Sequence, residues 1–365
     1  MRRSIHLLVI LSLLWSASSA LGASGSEKAV PTVPATVEST LKTASNHIRQ
    51  FVFDGDPDTY FASEENPTAA DHFTLSFDKP VMIHSIVVAS GRPNGDDKLD
   101  SGELQVSSDG TKFETVADFS GGQAQYTSKG RKAVAIRIKP TADMKHPLAI
   151  REVTIDSAPE LAVFKYPVEF VLDVTDAPDM KEWGEQCVRI CERQYTMINE
   201  ALPSEGFKPA HLVKMSLKTS YRGVAATGGA NITGSVKYFK EHPKDFGAMV
   251  HETVHVVQAY RGRRGGGNPN PGWLVEGIAD YVRFFIYEPG KAGRMNPDRS
   301  HYNGNYRVTA TFLNYVTEKY DKNLVKKLNA AMRQGKYKEK DELFKDYTGK
   351  TVEELDEEWR ASLKG

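Results

Sequence analysis

The sequence predicts two folded parts, an all-β sandwich followed by an α+β domain in which helices dominate. Three observations carry this reading. The chain has 365 residues, more than one domain of about 150 residues requires. Short β-branched runs separated by turn residues fill the stretch from about Ala44 to Asp156, the signature of a sandwich. After about Pro159 the apolar residues recur instead at helical spacing, with only brief extended runs between them.

The first residues have the pattern of an export signal. Arg2 and Arg3 precede the apolar run Ile5–Trp15, and the small-residue stretch Ser16–Ala23 follows. That run falls short of the roughly 20 residues a membrane span needs. Residues 1–23 are therefore expected to be a signal peptide, and the mature protein to be secreted or periplasmic. Residues 24–40, rich in Ser, Thr and Pro without periodicity, read as a linker.

Within 41–157 the expected strands are Phe73–Phe77, Ile83–Ala89, Gly102–Ser107, Ala133–Ile138 and Ile150–Ile155. Gly91–Gly95, Asp109-Gly110 and Gly121-Gly122 supply the turns. Within 162–365, Met180–Glu200 places Trp183, Cys187, Ile190, Cys191, Tyr195 and Ile198 on one helical stripe. Leu212–Leu217 and Asn231–Tyr238 read as strands. Lys244–Tyr260, Leu274–Tyr287, Tyr306–Lys319, Leu324–Gln334 and Glu353–Leu363 read as helices, the last opening on a capping box at Thr351.

Composition excludes several classes. With 40% hydrophobic and 26% charged residues the chain is neither disordered nor fibrous. Lys+Arg and Asp+Glu both number 47, so nothing global calls for nucleic acid or an anionic membrane. Cys187 and Cys191, the two cysteines, lie four apart on one helix face and read as buried thiols rather than a disulfide.

The chemistry concentrates in His251-Glu252-Thr253-Val254-His255. On a helix, residues four apart share a face, so both imidazoles aim at one point, where a Zn²⁺ can take both nitrogens with Glu252 beside it. Val250, Val254 and Val257 cover the opposite face. Downstream, Glu276 and Asp280 stand four apart inside the apolar run Trp273–Phe285, where a lone carboxylate is costly unless paired or metal-bound. Glu276 is the expected third zinc ligand, and Asp280 the acceptor that fixes a ligand histidine's tautomer. His301 is the rival third ligand. Two histidines, a glutamate and an open position make a catalytic zinc site rather than a closed structural one. Glu252 is the expected general base. For a group stabilising the oxyanion, Tyr306, Tyr302, His301 and Tyr281 are candidates, with Tyr306 carried forward as catalytic.

HExxHxxQ over His251–Gln258, followed by WLVEGIADYVR over Trp273–Arg283, resembles the basic secretory protein family of zinc peptidases of plants and bacteria. Asn231–Tyr238 and Tyr306–Tyr315 extend the resemblance, which covers roughly residues 165–363. It implies an α+β zincin-like metallopeptidase with His251, His255 and Glu276 on zinc and Glu252 as base. In zincins the strand before the metal helix pairs with the substrate backbone, a place Asn231–Tyr238 fits. The neutral charge departs from the family's name. The loop Arg261–Gly272 between the ligand helices reads as a flexible rim over the cleft or a plain connector.

The β segment in turn resembles discoidin, or coagulation factor 5/8 type C, domains, a galactose-binding-like jelly roll. FDGDPDTYFA over Phe53–Ala62, SSDGTKF over Ser107–Phe113 and the closing Ile150–Ile155 carry it. The resemblance implies a structural Ca²⁺ at Asp56, Thr59 and Glu152, and an Asp-rich turn does supply the hard oxygens calcium takes. It also implies glycan binding on end loops, for which His84, Arg92, Asn94, Tyr126 and His146 are the candidates. The expected protein is a secreted zinc metallopeptidase acting on proteins or peptides, glycoproteins or cell-wall proteins among them, and carrying a surface-binding module. The alternative is an extracellular carbohydrate-binding or adhesion protein with an inactive zincin domain.

Overall fold

In the computed structural model, residues 32–260, 270–337 and 342–364 are described. The expected signal at 1–23 and most of the Arg261–Gly272 loop lie outside them. Among the described residues no helix is long and apolar enough to cross a membrane.

The N-terminal part is a sandwich of seven strands: β1 (Ala35–Ser39), β2 (Phe61–Ala62), β3 (Phe73–Ser90), β4 (Gly102–Ser107), β5 (Glu114–Asp118), β6 (Gln123–Pro140) and β7 (Ala149–Ala158). They run in the order β2-β7-β3-β6-β4-β5, with β1 beside β3. The runs Phe73–Phe77 and Ile83–Ala89 prove to be one long strand whose register against β6 shifts between Ser76 and Val81. Such a break lets one strand bend to serve both faces of a sandwich. Residues 35–39, assigned to the linker on composition, form β1 instead, paired from Ala35–Phe77 to Ser39–Phe73 with Val37 buried. Its Ser, Thr and Glu residues concealed a two-residue alternation.

The second part carries a four-stranded sheet ordered β10-β11-β9-β8, made of β8 (Glu169–Asp173), β9 (Leu212–Lys218), β10 (Ala225–Gly228) and β11 (Asn231–Ser235). β8, β9 and β11 are parallel, and β10 runs antiparallel along one edge. Among the described residues eight α-helices complete it: α1 (Lys181–Ala201), α2 (Val236–Glu241), α3 (Phe246–Gln258), α4 (Gly272–Tyr281), α5 (Tyr306–Lys319), α6 (Leu324–Arg333), α7 (Glu342–Thr348) and α8 (Val352–Ser362). The extended run expected over Asn231–Tyr238 ends at Ser235, whose hydroxyl accepts the Tyr238 N–H at 3.3 Å and caps α2. The helix expected over Leu274–Tyr287 becomes a π turn at Val282–Tyr287. The Thr351 capping box forms as expected. Cys187 and Cys191 are free, buried thiols.

Two separate hydrophobic cores result, one running from Val33 to Leu161 and the other from Val168 to Trp359. Between them lies an ionic seam. Glu169 of β8, almost fully buried, accepts Thr43 Oγ1 at 2.7 Å and the Arg49 N–H at 3.0 Å. The Arg49 guanidinium reaches Glu169 at 3.2 Å and Glu192 of α1 at 3.3 Å. Gln50 Oε1 accepts the Val168 N–H at 2.9 Å, and Phe51 meets the His211 ring edge-on.

Candidate metal centre

α3 starts where the Asp245 carboxylate accepts the Ala248 N–H at 3.2 Å. Asp245 also takes Arg283 Nη2 at 2.6 Å and the Tyr238 hydroxyl at 2.8 Å, fixing the start of the helix against the π turn. One turn on, His251 and His255 come together with Glu276 of α4. Their ligand atoms all lie within 4.8 Å of one another. The His251 and His255 Nε2 atoms are 3.0 Å apart, and Glu276 Oε2 lies 3.2 and 3.3 Å from them. A tetrahedral ion with bonds of about 2.1 Å separates its ligands by about 3.4 Å, close to these 3.0–3.3 Å spacings.

The donor set points the same way. His251 Nδ1 donates to Asp280 Oδ1 at 2.7 Å, and His255 Nδ1 donates to Gln258 Oε1 at 2.7 Å. With both Nδ1 atoms committed as donors, both Nε2 atoms converge on one point together with Glu276 Oε2, the arrangement a bound cation takes. Burial alone would depress the His251 pKa, yet Asp280 and Glu276 outweigh it and lift it to about 9. Burial raises Glu276, but the two histidines hold it at about 2. Both shifts express a pocket that favours positive charge.

Glu252 is buried on the same helix, and its Oε2 accepts Thr227 Oγ1 from β10 at 2.7 Å. Tyr306 is 56% exposed at the start of α5, its ring 6.3 Å from that of His251. Asn305 and Tyr306 both have positive φ, 63° and 47°, a conformation that costs a bulky residue about 1–3 kcal/mol and clusters at functional sites. Of the four candidates for the oxyanion, Tyr306 alone lines the cleft. His301 rests on Asp356 at 3.2 Å, away from the trio. Tyr302 packs against Trp273 and Phe312, and Tyr281 stacks on Phe285.

The cleft holds about 1670 Å³, beyond the roughly 300–1,000 Å³ of a small-molecule site. β10 forms part of its wall, with Ala225, Ala226 and Thr227 lining it. β11, to which substrate pairing was assigned, is flanked by β10 and β9 and has no free edge. The free edge beside the cleft belongs to β10.

Two residues support the site in roles the sequence did not mark. Gln258, three positions past His255, also donates through Nε2 to Val275 O at 2.9 Å and so ties α3 to the helix bearing Glu276. Its spacing was the available signal. Arg333 of α6 donates to Val257 O, Gln258 O, Leu202 O and Ser204 Oγ at 2.7–3.1 Å and stacks on Phe207. Its charge thus sits on the carbonyl ends of α1 and α3. Nothing in sequence linked residue 333 to residue 258.

In the sandwich, the Asp54 carboxylate takes the Thr59 hydroxyl at 3.0 Å, and Asp56 O takes the Thr59 N–H at 3.2 Å. Glu152 Oε2 is buried without a hydrogen-bond partner. Burial first, then Asp54 and Asp56, push Glu152 up to about 7. Of the residues expected to hold calcium, Thr59 turns its hydroxyl to Asp54 and Glu152 leaves an oxygen unpaired; among the described residues only the His251–His255–Glu276 trio brings three metal-ligating side-chain atoms within 4.8 Å of one another.

At another corner Arg92 holds Asp97 and Tyr60, His146 lies 3.8 Å from Asp97, and His47 stacks on Tyr60. Asn94 instead bonds Asp96. His84 and Tyr126, expected on end loops, lie instead within the paired strands β3 and β6.

Residues 34–153 match the F5/8 type C domain. Similar solved structures include a CBM32 domain of a family 31 glycoside hydrolase from Clostridium perfringens, at 20% identity, 34% of this chain, 97% of that one and a TM-score of 0.30. Another is the family 32 carbohydrate-binding module of C. perfringens NanJ in complex with galactose, at 14%, 33%, 92% and 0.29. A comparison with curated proteins gave no match. Residues 172–359, more than half of the chain, match the peptidases of plants and bacteria. The chain therefore belongs to that peptidase family, with an F5/8 type C domain preceding the peptidase region.

Proposed function

We propose that the protein is a secreted zinc-dependent endopeptidase. The observation that supports this best is the His251–His255–Glu276 trio, both of whose histidines are tethered through Nδ1 while Glu252 stands braced on the same helix. When bound there, zinc supplies a Lewis acid that polarises the scissile carbonyl and makes water acidic enough to attack near neutral pH. A peptide adds along the outer edge of β10 and so presents its backbone to Glu252. Glu252 takes the proton of the attacking water and passes it to the leaving amine nitrogen. The Tyr306 hydroxyl donates a hydrogen bond to the oxyanion.

The N-terminal domain, in this proposal, holds calcium at Asp54, Asp56 and Glu152 and binds a glycan at the Tyr60–Arg92–Asp97–His146 corner. The apolar run at Ile5–Trp15 supports export.

The test is hydrolysis of a broad peptide library by wild type, Glu252→Gln and Tyr306→Phe at matched zinc content. Wild type is expected to cut, with kcat lower by at least about 100-fold in Glu252→Gln and lower in Tyr306→Phe at little change in KM. Cleavage by Glu252→Gln at the wild-type rate would remove Glu252 from the mechanism.

A further inference from the structure

Glu252 sits on a helix face and has three rotatable side-chain bonds, so its place on α3 alone does not aim its carboxylate. What aims it comes from another element. Thr227 Oγ1 lies 2.7 Å from Glu252 Oε2 and 3.0 Å from Glu252 O. One hydroxyl proton thus faces two acceptors, and the charged carboxylate is the stronger. Thr227 is itself stiff, being β-branched on an extended strand. Along β10 the exposure alternates, with Ala225 and Thr227 half-buried and Ala226 and Gly228 exposed, which places the hydroxyl on the side facing α3.

We infer that Thr227 is a positioning residue for hydrolysis: by donating to Oε2 it pins the Glu252 carboxylate and leaves Oε1 as the oxygen that receives the proton of water. This rests on the peptidase reading above and deepens it. The bookkeeping of protons is simple. Oε1 gains the proton from water and releases it to the amine nitrogen of the broken peptide bond, while Thr227 keeps its own proton throughout. Because Thr227 stands on the strand whose outer edge faces the cleft, a peptide that pairs with β10 steadies the hydroxyl and the base together. Val at this position would fill the same space and keep the strand, yet leave Oε2 without its donor.

The experiment compares wild type with Thr227→Val, Thr227→Ser and Glu252→Gln on fluorescein-labelled casein and a mixed peptide library, with zinc content measured for each. Thr227→Val should keep its zinc and its KM while kcat falls about tenfold, the lower end of what loss of an orienting partner does. Thr227→Ser should recover most of the rate. If Val disturbs the strand, Thr227→Ala carries the same expectation. A crystal structure of metal-free Thr227→Val should show the Glu252 carboxylate displaced with the α3 and β10 backbones unmoved. Wild-type kcat in Thr227→Val, no recovery in Thr227→Ser, or loss of zinc would each overturn the assignment. If wild type cleaves neither probe, the peptidase reading falls and takes this inference with it; if wild type cleaves and Thr227→Val equals it, this inference alone falls.

Discussion

At the scale of single residues, the centre is asymmetric. His251 leans on a carboxylate, Asp280, whereas His255 leans on an amide, Gln258. A carboxylate makes its histidine a more electron-rich donor, and an amide fixes orientation with less effect on charge. Gln258→Met would leave His255 Nδ1 without its acceptor and remove the side-chain donor to Val275 O that ties α3 to α4. Zinc affinity is expected to fall about tenfold, as read by competition with a chelator of known affinity; an unchanged affinity would reduce Gln258 to a packing residue. Glu252, His251, His255, Glu276 and Asp280 were legible in the sequence because their fourfold spacings sit inside apolar runs. Thr227 and Asp54 were not, since a threonine in a short strand and an aspartate in a turn have ordinary structural uses.

At the scale of elements, the site depends on how closely α4 approaches α5. A Cβ at Gly277 would lie 2.1 Å from Thr309 Cγ2, so the glycine between Glu276 and Asp280 is what permits the contact. Alanine gains about 1 kcal/mol of helix propensity over glycine, but overpacking a buried contact of this kind costs about 1–3 kcal/mol and should win. Gly277→Ala is therefore expected to lower the urea midpoint, and an unchanged or higher midpoint would show that α5 can yield. The longer helices were read from their periods, since burial on one face leaves a plain 3.6-residue pattern, whereas the short α2 and α7, of two turns or fewer, were missed. β10 was missed because Ala225–Gly228 contains no large apolar residue, and β1 because its alternation is short and largely polar. The edge strand that borders the cleft is thus among the elements the sequence left unmarked.

At the scale of the whole molecule, the sandwich is bound to the peptidase region by buried charge. One cation, Arg49, serves two acids, Glu169 and Glu192. Burial lifts Glu192 to about 7 despite Arg49, with Glu169 adding to the rise and Arg189 opposing it. In the unfolded chain a glutamate titrates near 4.3, so the folded state holds this proton more tightly. Its contribution to stability is complete below about pH 4.3 and is lost as the pH rises towards 7. Urea midpoints across pH 5–8 should therefore decline more steeply in wild type than in Glu192→Gln; parallel profiles would contradict the assignment. A seam of this kind holds the F5/8 type C domain in a fixed relation to the peptidase region rather than on a loose tether.

The measurement that tests the central claim most directly is zinc content of the intact protein together with chelation and repletion. One zinc per chain is expected, with loss of peptide hydrolysis on chelation, its return on adding zinc, and no tight zinc in Glu276→Gln. Hydrolysis that survives complete removal of metal, or zinc held equally well by Glu276→Gln, would contradict it.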